Sequence, residues 1–180
     1  MPTAVTHLLV PIFIASLFRD YLIKKSRKSK FPLHYVLFAG IGGVLPDVDI
    51  LFYLIVKPLG YTLEQVHRQW IHSLFIPLLF IILALLFCKI NFNPHRKHIL
   101  NLGIICLMLS FGTFMHILLD GTISGEVHPF SPISNYKFGL NLVNYLPEHL
   151  SGIAIPLFEG ILFLVWIVYL EWKHKISDFI

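Results

Sequence analysis

The chain has 180 residues and a formal net charge of +4, with 56% hydrophobic and 13% charged residues. Soluble domains carry about 25% charged residues, so this composition excludes a water-soluble globule and favours a bundle of helices in lipid. The positive charge does not indicate nucleic-acid binding, because the basic residues gather in short loops between apolar segments. The length predicts a single integral membrane domain over residues 1–180.

Five apolar segments are long enough to cross or nearly cross a bilayer, which takes about 20 residues. They are Ala4–Leu22, Leu33–Val56, Trp70–Lys89, Ile99–Asp120 and Ser151–Trp172. The second segment is broken at Pro46, because proline removes a backbone donor. There we predict a helix over Leu33–Leu45 and an interfacial or re-entrant piece over Ile50–Gly60. The predicted fold is an all-α polytopic membrane bundle.

The basic residues between these segments predict an orientation. One side of the membrane receives Lys24, Lys25, Arg27, Lys28, Lys30, Lys89, Arg96, Lys97, Lys173 and Lys175. The other side receives Lys57, Arg68 and Lys137. Because cytoplasmic loops are enriched in Lys and Arg, the N-terminus is predicted outside and the C-terminus in the cytoplasm of a cell (inner) membrane.

Acidic and imidazole groups within the apolar segments are candidates for a functional site, since such groups are expensive in a membrane. These groups lie at a similar predicted depth in the membrane. At about 1.5 Å per helical residue, Asp47 lies ~20 Å from the cytoplasmic end of its segment and His116 ~25 Å from the end of its own. His7, His67 and His72 flank the outer ends of two other segments. We therefore expect these side chains to meet in the outer half of the bundle.

Each motif is ambiguous by itself. His116 and Asp120, at i and i+4, share a helix face and suit either one ion or a plain hydrogen bond. Asp47 and Asp49 suit an exposed turn, but between apolar runs their repulsion calls for a cation or protons. The segment 67–73 suits a metal site or the start of an interfacial helix, and His7 alone suits a polar group at the interface. The roles of four further residues stay open: Glu159, His128, Glu148 and His149.

Taken together, the candidate metal ligands are His7, Asp47, Asp49, His67, His72, His116 and Asp120. Mixed imidazole and carboxylate ligands suit zinc, manganese or iron, and the lack of thiolates disfavours a structural zinc site. One divalent transition-metal ion, or a pair, is predicted, with zinc or manganese favoured.

These motifs, in this order, resemble the membrane-bound metal-dependent hydrolases of the YdjM type, a family named for a LexA-regulated inner-membrane protein. The resemblance rests on residues 6–8, Gly40 and Gly43 before the segment 45–49, the segments 67–73 and 116–120, and Gly125 before the segment 129–131. The family pattern has glycine where Gln69 stands and threonine where Ile71 stands, away from the ligand positions. The resemblance implies a metal-dependent hydrolase and leaves its substrate undefined.

The favoured function is hydrolysis of a phosphoester, such as a phospholipid or a lipid-linked phosphate, at the outer face. Water activated by the metal attacks phosphorus, Arg68 binds the phosphate, and Asp49 acts in catalysis besides its role as a ligand. The alternative is a transporter or metal-homeostasis protein that uses the same ligands as a transit site. The near absence of acids in the cytoplasmic halves of the segments favours the enzyme.

Overall fold

The computed structural model describes residues 3–25, 31–63, 67, 71–92, 99–123 and 125–175. The all-α membrane bundle is confirmed. Its helices are α1 (Ala4–Lys25), α2 (Leu33–Val44), α3 (Asp49–Val56), α4 (Phe75–Leu86), α5 (Leu102–Ile123) and α6 (Glu148–His174). Short 3-10 turns cover Leu45–Val48, Lys57–Leu59 and Leu142–Tyr145. A two-stranded antiparallel ladder pairs β1 (Asn91–Phe92) with β2 (Leu100–Asn101).

In the described ranges, four helical stretches are long and apolar enough to span a membrane: Ala4–Lys25, Leu33–Leu59, Leu102–Ile123 and Glu148–His174. The predicted third segment, Trp70–Lys89, forms a helix only from Phe75. Residues 71–74 turn instead, and the Leu74 N–H donates to the Pro129 carbonyl in the loop after α5. The predicted start of the fourth segment at Ile99 was three residues early, because Leu100 and Asn101 pair as a strand.

The break predicted at Pro46 is confirmed as a single 3-10 turn between α2 and α3. The proline lies at the start of this turn, where its missing N–H removes no α-helical hydrogen bond. The flanking residues Val44 and Asp49 keep right-handed helical dihedral angles, so the chain continues into α3. The turn therefore rotates two nearby carboxylates, those of Asp47 and Asp49, out of a regular helical spacing.

Helix α2 lies at the centre of the bundle, between α1 and α5, and α5 also packs against α4. Close approach depends on glycine. A Cβ atom at Gly43 would lie 2.0 Å from the His7 carbonyl oxygen on α1, and one at Gly112 would lie 2.1 Å from the Ala39 carbonyl oxygen on α2. Small residues let membrane helices gain van der Waals contact where lipid supplies no hydrophobic force.

The interior has two parts of different chemistry. Toward one end, Ala15, Val36 and Ala39 form an apolar cluster. Toward the other, the largest fully buried side chains are imidazoles: those of His7, His72 and His116. In contrast, α6 has no fully buried residue, so most of its apolar surface is available to lipid. The polar interior is therefore held by α1, α2, α5 and the segments beside them.

Candidate metal centre

The predicted ligands do meet, and they come from every part of the central bundle. Helix α1 contributes a residue from its first turn, the 3-10 turn and α3 contribute two acids, the segment before α4 contributes two imidazoles, and α5 contributes a pair. In chain order these residues are His7, Asp47, Asp49, His67, His72, His116 and Asp120. Residues separated by more than a hundred positions in the sequence therefore lie in one cluster.

The backbone of α2 orients His116. Its Nδ1 lies 2.7 Å from the Gly43 carbonyl oxygen, which can only accept a hydrogen bond, so Nδ1 carries a proton. The opposite nitrogen, Nε2, faces two carboxylates, at 3.6 Å from Asp47 and 3.7 Å from Asp120. A second hydrogen bond of this kind is the usual means of aiming an imidazole lone pair at a metal ion.

Asp49 lies beside the Nδ1 atoms of two further imidazoles, and its contact with His67 has the geometry of a hydrogen bond. One of its oxygens lies 2.8 Å from Nδ1 of His67, and the other lies 3.3 Å from Nδ1 of His72. Consequently Nε2 of His72 points away from Asp49 and toward Asp47 at 3.7 Å and Asp120 at 3.8 Å. Asp49 therefore contacts the Nδ1 atoms of two candidate ligands. It lies beside the place where Nε2 of His72 meets the carboxylates of Asp47 and Asp120.

His7 closes the site from α1. Its Nε2 lies 3.3 Å from a carboxylate oxygen of Asp120, and its ring stacks on that of His116 with centroids 3.8 Å apart and an interplanar angle of 25°. The stacking places the imidazole from α1 directly against the imidazole from α5.

The separations between these atoms fit ligands around a cation better than partners in hydrogen bonds. The four separations from Nε2 of His72 and of His116 to Asp47 and Asp120 run from 3.6 to 3.8 Å, beyond the usual 2.7–3.2 Å of N–H···O bonds. Two ligands on one zinc ion at about 2.1 Å in tetrahedral geometry lie ~3.4 Å apart. Within the described part of the chain, both buried Nε2 atoms lack a hydrogen-bond partner. Such atoms are costly to bury unless something binds them.

Among the residues that the structure describes, three overlapping groups have ligand atoms within 4.8 Å of one another. They are His7 with Asp47 and His116, Asp47 with His67 and His72, and His72 with His116 and Asp120. Asp47, His72 and His116 each belong to two of these groups, so the cluster suits either one ion or two ions that share ligands. Asp49, which was predicted to be a ligand, belongs to none of these groups and instead contacts the Nδ1 atoms of His67 and His72.

A cavity of about 440 Å³ opens onto this cluster. His7, Asp47, His67 and Asp120 line its polar part, while Val44, Val48, Ile50 and Leu51 line its apolar wall. Asp47 has 20% of its side-chain surface exposed, against 3% for Asp49 and Asp120. A molecule in the cavity would therefore meet Asp47 first among the three carboxylates.

Several predicted residues lie elsewhere. Arg68, assigned to phosphate binding, falls outside the described residues. Glu159 hydrogen-bonds to Thr3 and Thr6 at the start of α1. Glu148 and His149, in the first turn of α6, are exposed, and His128 lies in the loop after α5. None of these four described residues belongs to the three groups of potential ligands.

Gly43 has a part in the site that its sequence context did not predict. Its carbonyl oxygen accepts the hydrogen bond of His116, and its lack of a side chain lets α1 bring His7 close. Gly43 contributed to the family resemblance, but a backbone acceptor has no signature in the side-chain pattern.

The comparisons agree with this architecture. The family model described as YdjM inner membrane protein matches residues 1–175, which extends the resemblance through α6. No curated protein and no solved structure matches the chain. The family description gives a location and no reaction. With four helical stretches able to span a bilayer, the protein is a multi-pass membrane protein and belongs to the YdjM inner membrane protein family.

Proposed function

We propose that this protein is a membrane-bound, metal-dependent hydrolase of phosphoesters, with a phospholipid or a lipid-linked phosphate as its substrate. The observation that carries the proposal is the convergence of buried imidazole Nε2 atoms on Asp47 and Asp120 at separations of 3.6–3.8 Å. Zinc and manganese both accept this mixture of ligands, and the overlapping groups provide for one ion or two.

The position of each residue in the cluster suggests its role in the proposed reaction. His7, Asp47, His67, His72, His116 and Asp120 would hold the metal. The Gly43 carbonyl would hold the orientation of His116, and Asp49 would hold that of His67 while it contacts Nδ1 of His72. A bound divalent ion of this type supplies Lewis-acid polarisation of a phosphoryl oxygen and lowers the pKa of water to near neutrality. Arg68 would hold the phosphate, since its guanidinium pairs with two oxygens at once.

The cavity favours a substrate with an apolar part. Four aliphatic side chains form one wall of the approach to the carboxylates, and Val48 and Leu51 on that wall are also exposed on the outer surface of the bundle. A lipid could therefore place its phosphate at Asp47 while its hydrocarbon stays against α3 in the membrane. The proposed orientation, with this end of the bundle outside, rests on the distribution of Lys and Arg.

Transport of the metal is the competing function, and the interior of α1 weighs against it. A transit path would continue toward the other end of the bundle, where Asp20 contacts Arg19 and Tyr169. Between His7 and that cluster the buried side chains of α1 are Leu9, Pro11 and Ala15, followed only by Ser16. Between His7 and Asp20, α1 carries no acidic or imidazole side chain, the groups proposed to hold the metal.

The experiment is phosphate release in proteoliposomes that contain a phospholipid or a prenyl phosphate. Wild-type protein should release a water-soluble phosphorylated product, chelation should stop the release, and Asp120→Asn should reduce both bound metal and turnover. His174→Ala, at the far end of α6, is the matched histidine control and should change neither. Metal flux across the same vesicles, abolished by Asp47→Asn and accompanied by no hydrolysis, would replace the hydrolase with a transporter.

A further inference from the structure

Glu159 lies in the middle of α6, an apolar helix, yet its carboxylate does not join the candidate ligands. One oxygen accepts the Thr3 backbone N–H at 3.0 Å and the Thr6 hydroxyl at 2.7 Å, and the Thr3 hydroxyl donates to the same oxygen. An acid in a membrane helix is expensive unless it has such partners. Its position is therefore explained by the end of α1 that it contacts.

These contacts complete the N-terminus of α1. Thr3 precedes the first helical residue, Ala4, and its hydroxyl oxygen accepts the Val5 N–H at 3.2 Å, as the side chain of an N-cap residue does. The Thr3 N–H lies near the positive end of the helix dipole, where a carboxylate is favourable. Glu159 supplies that carboxylate from a different helix.

The same turn of helix carries a candidate ligand. His7 follows Thr6 directly, and its N–H bonds to the Thr3 carbonyl oxygen at 3.3 Å. Thr3, Ala4 and His7 also line the cavity that leads to the carboxylates. Holding this turn against α6 therefore sets both the position of the His7 imidazole and one side of the entrance.

We propose that Glu159 is a positioning residue, which locks the first turn of α1 so that His7 meets the metal in place. This inference rests on the proposed metal site only through His7. It makes α6, which has no fully buried residue, a support of the site rather than only an anchor in lipid.

The chain offers a matched control for a purely structural role. At the other end of the same two helices, the Tyr169 hydroxyl donates to Asp20 at 2.6 Å. Tyr169→Phe removes this polar contact between α6 and α1 far from His7. If Glu159 only fastens α6 to the bundle, losing either contact should have similar consequences.

The experiment compares wild type, Glu159→Ala, Glu159→Gln and Tyr169→Phe in detergent by two measurements. The first is the affinity for Zn²⁺ or Mn²⁺ by titration calorimetry. Glu159→Ala should weaken it about ten- to a hundredfold, the usual effect of losing a residue that orients a ligand. Glu159→Gln keeps an oxygen acceptor and should lie near wild type, as should Tyr169→Phe.

The second measurement needs no metal: hydrogen exchange of the amides of residues 5–8 in metal-free protein. Glu159→Ala should speed their exchange roughly five- to tenfold, the factor expected for loss of a helix cap, and Tyr169→Phe should leave it unchanged. Equal effects of Glu159→Ala and Tyr169→Phe, or wild-type exchange in Glu159→Ala, would overturn the inference. A wild type that binds no metal but shows the predicted exchange pattern would instead remove the proposed metal site and keep the lock on α1.

Discussion

Gly43→Ala should disrupt the site without touching any candidate ligand. An added Cβ would lie 2.0 Å from the His7 carbonyl oxygen and 2.8 Å from Cγ of Pro11. Carbon and oxygen normally approach no closer than about 3.3 Å, so α1 must move by more than ~1 Å. The His116 imidazole would move too, because it is bonded to the Gly43 carbonyl. Metal sites tolerate errors of about 0.2 Å in ligand position, so metal affinity should fall sharply.

The size of the steric effect also sets the expected loss of stability. Overpacking in a close-packed interior costs about 1–3 kcal/mol, enough to lower the melting temperature in detergent by several degrees. Gly160→Ala on α6 is the control, since nothing lies within 4 Å of its added Cβ. Alanine is the better helix former, so this control should be as stable as wild type or more so.

Melting curves and metal titrations of Gly43→Ala and Gly160→Ala test this prediction. If Gly43→Ala melted and bound metal like wild type, α1 and α2 could not be as close as the contact of Gly43 with His7 requires. The assignment of His7 to the site would then lose its basis. A loss of stability with unchanged metal affinity would keep the helix packing and remove His7 from the ligands.

Three further outcomes can be measured. Cysteines introduced at Lys28 and Lys137 of an otherwise cysteine-free protein should report orientation with an impermeant thiol reagent on intact cells: only position 137 should react, and the reverse pattern would place the site inside. Asp49→Asn should weaken metal affinity about ten- to a hundredfold with the saturating stoichiometry retained, because its carboxylate contacts two imidazoles. Asp47→Asn should instead lower the stoichiometry of bound metal. Equal behaviour of the two variants would contradict their separate roles. Arg68→Ala should reduce phosphoester turnover with bound metal unchanged, and a parallel loss of metal would make it a structural residue.

Much of the architecture follows from local sequence. Runs of about 20 apolar residues predict membrane helices, because every backbone polar group must be satisfied within the segment. The spans around α1, α2, α5 and α6 were therefore predictable, as was the break at Pro46, whose missing N–H acts on its own turn. The late start of the short helix α4 was not predictable. It accompanies a tertiary contact, the hydrogen bond from the Leu74 N–H to the Pro129 carbonyl in the loop after α5.

The sequence by itself also determined which residue types stand out as candidates for a functional site. These are the acids and imidazoles in apolar segments, because such groups have few stable environments within a membrane. Only the tertiary structure decided their separate positions. It turned Nδ1 of His116 toward a backbone carbonyl, placed Asp49 behind two imidazoles, and directed Glu159 to the start of α1. The physical reason is that a hydrogen bond depends on distances of a few tenths of an ångström between helices, and the spacing of residues along one chain carries no such information.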